Sequence, residues 1–130
     1  MTHLLDTDTC INVLRQRPGV VQRLSKFAPT DCAVSMVTVY ELFCGLAKAQ
    51  HPEVERQKVE RFVSTIIELP LDRAAAETAA NVRAQLERQG QPIGPYDLLI
   101  AGQALSSGLT LVTNNLSEFQ RVKGLKVESL

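Results

Sequence analysis

The chain has 130 residues, of which 45% are hydrophobic and 22% charged, with 14 basic and 14 acidic side chains and no formal net charge. This length suits one ordinary domain and excludes two. The composition excludes a disordered or fibrous chain, and the charge balance excludes a general polyanion binder of the strongly basic kind. The segment Met1 to Leu5 is too short for the apolar core of a signal peptide and meets Asp6 and Asp8 at once, and no apolar run approaches a bilayer span. The expectation is a cytoplasmic protein without a membrane anchor, folded as a single domain over residues 1–130. Cys10, Cys32 and Cys44 are odd in number and lack CxxC or Cys/His spacing. They are expected to be free thiols packed as small core hydrophobes, not a disulfide framework or a zinc site.

Along the chain, His3-Leu4-Leu5-Asp6 is a short apolar run ending in polar residues, as a buried parallel strand does, and Thr7 to Gln16 follows as a helix. Pro18 and Gly19 break the chain before a second short helix, Val20 to Phe27, and Cys32 to Met36 is the second strand. From Val37 to Ala49 the residues Val39, Leu42, Phe43 and Leu46 recur at helical spacing. Pro52 opens a further helix, with Val54, Val59, Phe62 and Val63 expected to point inward. Ile66 to Leu69 is a third strand closed by Pro70, and Asp72 is an N-cap residue for the Ala-rich helix that runs to Gly90. A Gly/Pro turn from Gly90 to Pro95 leads into a helix from Tyr96 to Ser107, with Gly108 as its C-cap. Thr110 to Thr113 is the fourth strand, Ser117 to Arg121 a short helix and Leu125 to Glu128 a candidate fifth strand. Strands alternating with helical crossovers predict an α/β fold with a central, mostly parallel sheet of four to five strands flanked by helices.

In open parallel sheets, ligands collect outside the carboxyl ends of the strands. Asp6 and Asp8 follow the first strand, Glu41 lies within two helical turns of the second, Asp97 starts the helix before the fourth, and Asn114 and Asn115 follow the fourth. Each has a structural explanation. Asp6, Asp8 and Asp97 suit helix N-termini, and Thr38-Val39-Tyr40-Glu41 matches a capping box in which Glu41 bonds back to the Thr38 backbone. Their coincidence points to chemistry, because carboxylates brought together raise one another's pKa unless a cation or a proton is held there. Oxygen donors select a hard ion, Mg2+ or Mn2+, whereas His3 and His51 lack ligand spacing and are expected to be structural or solvent-facing. Neither a phosphate-cradling glycine loop nor a Ser or Cys triad pattern is present, which leaves metal-assisted hydrolysis.

The segments Leu4-Leu5-Asp6-Thr7-Asp8, Ser35 to Leu42, Ile93 to Ala101 and Leu111-Val112-Thr113-Asn114-Asn115 through Phe119 resemble the PIN-domain ribonucleases. More narrowly, they resemble the VapC toxins of bacterial toxin–antitoxin pairs, over essentially the whole chain. The resemblance implies a Mg2+-dependent endoribonuclease, with Mn2+ as a substitute, whose ion is bound by Asp6, Glu41 and Asp97. Thr113 and Asn115 would orient the water or the phosphate by hydrogen bonding, and Asp8 is either a supporting residue or a plain helix cap. Asn115 fills a place where the family often has aspartate. The resemblance further implies a structured tRNA as substrate, a cognate antitoxin as partner, and a homodimer. Arg15, Arg17, Arg23 and Lys26 are candidates for tracking an RNA backbone, against the ordinary alternative of a solvated face.

Two other functions fit parts of the chain. A phospho-receiver domain shares the length, the acidic pair after the first strand and a Thr on the fourth, but needs an Asp after the third strand, where Pro70 stands, and a Lys after the last. A catalytically inactive domain that only binds a protein partner is compatible with the same segments.

Overall fold

The computed structural model describes all 130 residues. Its strands are β1 (His3–Leu5), β2 (Cys32–Ser35), β3 (Ile67–Leu69), β4 (Thr110–Val112) and β5 (Val127–Glu128). Its helices are α1 (Thr7–Leu14), α2 (Val20–Leu24), α3 (Met36–Ala47), α4 (Pro52–Val63), α5 (Arg73–Arg88), α6 (Pro95–Ser107) and α7 (Leu116–Phe119), with a 3-10 turn at Pro29–Asp31. All strand pairs are parallel and the order across the sheet is β3-β2-β1-β4-β5, the α/β arrangement that the sequence predicts.

Alternate side chains of a strand point to opposite faces of a sheet, and the register turns this into two apolar rows. Leu4 pairs with Ala33 and Leu111, and Leu5 pairs with Val34 and Val112. The first row packs against Val82 and Leu86 of α5 and Ile100, Ala101 and Ala104 of α6. The second packs against Cys10 of α1, Val39, Leu42 and Leu46 of α3, and Val59 and Val63 of α4. With both faces covered, the central strands are apolar without alternation, which is why they read as continuous hydrophobic runs. From β1 the chain moves to β2 and β3 on one side, then returns through α5 and α6 to place β4 on the other side of β1. Strand order therefore reverses between β1 and β4, and a crevice opens at their carboxyl ends.

The departures from expectation have local causes. Helix α2 stops at Leu24 instead of Phe27. Helix α3 begins at Met36, because the Ser35 hydroxyl caps it by accepting the Val37 N–H at 2.9 Å. The capping box expected at Thr38 and Glu41 does not form; Thr38 is buried in the first turn and its hydroxyl meets that of Thr7 at 2.9 Å. Val54, expected to face inward, is 53% exposed. It lies about 140° around α4 from Val59 at 3.6 residues per turn, whereas Val59 and Val63 stack one turn apart on the buried face. Cys10 and Cys32 are buried thiols, but Cys44 is exposed, on the side of α3 opposite Leu42 and Leu46. His3 has the structural role expected, with Nε2 on Glu128 at 2.9 Å and its ring 4.3 Å from that of Phe27.

Helix α6 carries Asp97 and is fixed in two ways. The Gln103 amide donates to the carbonyls of Leu69 and Pro70 at 3.1 and 3.0 Å, tying the helix to the end of β3. Gly102 lets α5 and α6 approach so closely that a methyl group there would lie 2.6 Å from the Ala79 Cβ and 2.8 Å from the Ala79 backbone. Replacing Gly102 by Ala gains about 1 kcal/mol of helix propensity, but overpacking of this kind typically costs about 1–3 kcal/mol. Gly102→Ala is expected to be destabilised overall in denaturant titrations, and Ala79→Gly should not restore it fully, because the backbone clash remains.

Candidate active site

Asp6 ends β1 and begins α1. Its N–H continues the sheet to the Val112 carbonyl at 3.0 Å, while its Oδ1 caps α1 by accepting the Thr9 N–H at 2.8 Å. The side chain is only 3% exposed. Burial raises its pKa; hydrogen bonds with Thr113 and Thr9 pull against this, and the charge of Asp8 adds to it. Thr113, fully buried after β4, holds its place through its N–H on the Glu128 carbonyl at 2.9 Å, and its hydroxyl accepts the Asn115 N–H at 2.9 Å.

Glu41 approaches from α3. Its Oε1 accepts the Thr7 hydroxyl at 2.7 Å, so the carboxylate is held against the start of α1 and not against its own helix backbone. Asp97 sits in the first turn of α6, after Gly94 and Pro95, and caps nothing with its side chain. Its pKa is pushed up to about 7, first by burial, then by the charge and hydrogen bonding of Glu118, then by the charges of Asp6 and Glu41. The carboxylates of Glu118, Asp6 and Glu41 are thus all near enough to act on Asp97.

The fourth, Glu118, is the residue that sequence reasoning missed. It comes from α7, where Oε1 accepts the Gly94 N–H at 3.3 Å and Oε2 accepts the Asn115 side-chain amide. Asn115-Leu116-Ser117-Glu118 has the spacing of a helix cap followed by an acid, and that spacing was the available signal. Asn115 is half-buried and fixed by Glu118, while Asn114 and Asp8 are exposed. Asp8, Asn12, Arg15, Asn114 and Asn115 line an open cleft beside the acids. Of the four basic residues considered for RNA, only Arg15 borders this cleft; Arg17, Arg23 and Lys26 are exposed outside it.

No ion pair of the protein includes Asp6, Glu41, Asp97 or Glu118. As they stand, no three acidic, histidine or cysteine side chains enclose a metal-sized site, and burial and the neighbouring carboxylates make Asp97 hold its proton more tightly than an ordinary carboxyl does. The donor set is nevertheless one that suits a hard divalent ion: carboxylates supplemented by amide and hydroxyl oxygens, with no soft ligand among them. A bound cation would favour the ionised form of Asp97.

Residues 3–125 match the PIN domain family. A protein of Shigella flexneri named tRNA(fMet)-specific endonuclease VapC is 44% identical over 96% of this chain and 95% of its own. Ribonuclease VapC2 of Haemophilus influenzae is 38% identical over 99% of this chain and 98% of its own. In the crystal structure of DNA-bound VapBC from Salmonella typhimurium, one chain superposes with a TM-score of 0.94 at 39% identity, covering 99% of this chain and 98% of that one. The fold, with acids gathered where its strand order reverses, is that of a nuclease domain, and the chain belongs to the PIN domain family. Within that family its relatives are the VapC ribonucleases, which depend on a divalent cation. The phospho-receiver alternative is thereby replaced, in keeping with Pro70 after β3 where an aspartate would be needed.

Asp6 and Asp97 both hold protons more tightly in the folded chain than at the unfolded value of 3.8. As pH rises above that value the unfolded chain releases these protons first, so their contribution to stability falls until Asp97 ionises at about 7. In chelator, the loss of thermal stability between pH 4 and pH 7 is expected to be shallower in Asp97→Asn than in the unmodified protein. Parallel unfolding curves for the two would show that Asp97 titrates normally.

Proposed function

We propose that this protein is the toxin of a toxin–antitoxin pair, an endoribonuclease that uses Mg2+, with Mn2+ as a substitute, to cleave a structured tRNA in the cytoplasm. The observation that carries this is the set of four buried or half-buried carboxylates without a cationic partner at the crevice between β1 and β4. Residues 1–130 act as one nuclease domain. The names of the relatives support tRNA(fMet) as the RNA, and the VapBC complexes among the similar structures support a cognate antitoxin. No helix is long and apolar enough to cross a membrane. A homodimer completes the assignment by family.

Asp6, Glu41 and Asp97 would hold the ion, with Glu118 as a further ligand or as the group that sets the charge of Asp97. A divalent cation supplies polarisation of the phosphate and a lowered pKa for water at the site. Thr113, locked between Asp6 and the Asn115 N–H, and Asn115, locked by Glu118, orient the water or the phosphate by hydrogen bonding. Asp8 acts on Asp6 through charge alone. The same uncompensated acids suit a basic side chain of the antitoxin, preferably Arg, whose planar fork pairs with carboxylates.

Purified protein should cleave tRNA(fMet) in Mg2+, lose activity in EDTA and regain it on adding Mg2+. Asp6→Asn, Glu41→Gln and Asp97→Asn should each lower cleavage beyond the roughly 10–100-fold that loss of an outer partner of a metal site costs. Cleavage that persists in EDTA, or wild-type rates in Asp6→Asn, would overturn the assignment.

A further inference from the structure

We infer that Tyr40 and Tyr96 form a platform on which an unpaired base of the RNA stacks beside the bond that is cut. This rests on the ribonuclease function proposed above and names the residues that grip its substrate.

Tyr40 lies on α3 one residue before Glu41, and Tyr96 on α6 one residue before Asp97. Each tyrosine therefore stands one helix position from a carboxylate of the candidate site. Their rings meet edge to face, with centroids 5.7 Å apart and planes at 66°. Each ring remains open to solvent, Tyr40 at 52% and Tyr96 at 43% exposure.

The rest of the molecule lacks such a surface. The chain has no tryptophan and only these two tyrosines, and Phe27, Phe43, Phe62 and Phe119 are buried or half-buried. The two exposed rings of the Phe, Tyr and Trp type are therefore the pair that meet, each next in sequence to a carboxylate of the candidate site. The position matters because the chain has no net charge and only Arg15 borders the adjoining cleft. Phosphate attraction alone is weak here, and binding of RNA must draw on something else. Sequence-specific contacts to RNA are made mostly to unstacked bases in loops, held on aromatic faces.

A second copy of the chain is the competing occupant. Met36 and Cys44 lie one turn to either side of Tyr40 on α3 and are also exposed, and a strip of this kind could be covered by protein. Steady-state cleavage of tRNA(fMet) in Mg2+, combined with sedimentation of the same samples, separates the two.

Tyr40→Ala and Tyr96→Ala should each raise KM by about 5- to 150-fold, the range for loss of one stacked base, with kcat little changed and the sedimenting mass unaltered. The Phe variants should keep KM, because the ring face is retained. An abasic nucleotide placed in turn on each side of the cleaved bond should reproduce the KM defect in the unmodified protein at one position only. That same abasic substrate should add nothing further in the Ala variants, as expected of partners in one contact. Unchanged KM in both Ala variants overturns the platform while leaving the ribonuclease function intact, and so does a KM defect that appears only with loss of dimer mass. Failure of the unmodified protein to cleave the tRNA overturns the ribonuclease function and this inference with it.

Discussion

Carboxylates held within reach of one another repel, and in this protein no Lys, Arg or His relieves the four that meet at the crevice. Three of them are steadied by neutral donors. Asp6 accepts from the Thr9 N–H, Glu41 from the Thr7 hydroxyl, and Glu118 from the Gly94 N–H and the Asn115 amide. Asp97 receives no backbone or hydroxyl donor to offset its burial, and burial first, then the neighbouring carboxylates with Glu118 foremost, push its pKa up to about 7. Neutral donors fix the positions of acids without filling the place between them. A lysine would neutralise the cluster and occupy it.

The fold supplies what this arrangement demands, which is stiffness behind the acids. Asp6 is attached to the central strand, with buried apolar rows on both faces of the sheet. Asp97 rides on a helix bolted by Gln103 to the carbonyls of Leu69, at the end of β3, and of Pro70 just after it, and pressed against α5 at Gly102. Glu118 reaches back to the N-terminus of that same helix, so α7 and α6 are positioned relative to each other at the site itself. Displacing either helix moves two carboxylates at once.

Much of this is legible in the sequence. The apolar runs at Leu4-Leu5, Ala33-Val34 and Leu111-Val112 mark the central strands, and the acids that follow or precede them stand out because strand ends are where open sheets bind ligands. What is not legible is which of two overlapping local signals wins. Ser35 and Thr38 are both competent caps for α3, and only the contact of Thr38 with Thr7, from a distant part of the chain, decides for Ser35. The same ambiguity hides Glu118, whose spacing from Asn115 is that of a common cap and whose partners Gly94 and Asp97 lie more than twenty residues away. The meeting of Tyr40 and Tyr96 depends on how α3 and α6 are placed about the sheet, and periodicity along either helix carries no trace of it.

The sheet ends on both sides in very short strands, three residues in β3 and two in β5. An open edge is a template for pairing with foreign backbone, and its reach scales with the number of unpaired N–H and C=O groups it shows. Pro70 closes β3 immediately, and Glu68 puts a charge on that edge. A chain approaching edge-on finds too little backbone to zip onto, which guards against aggregation through runaway strand addition. The same brevity means that any lasting assembly must be built on helical faces, where side chains and not the backbone choose the partner.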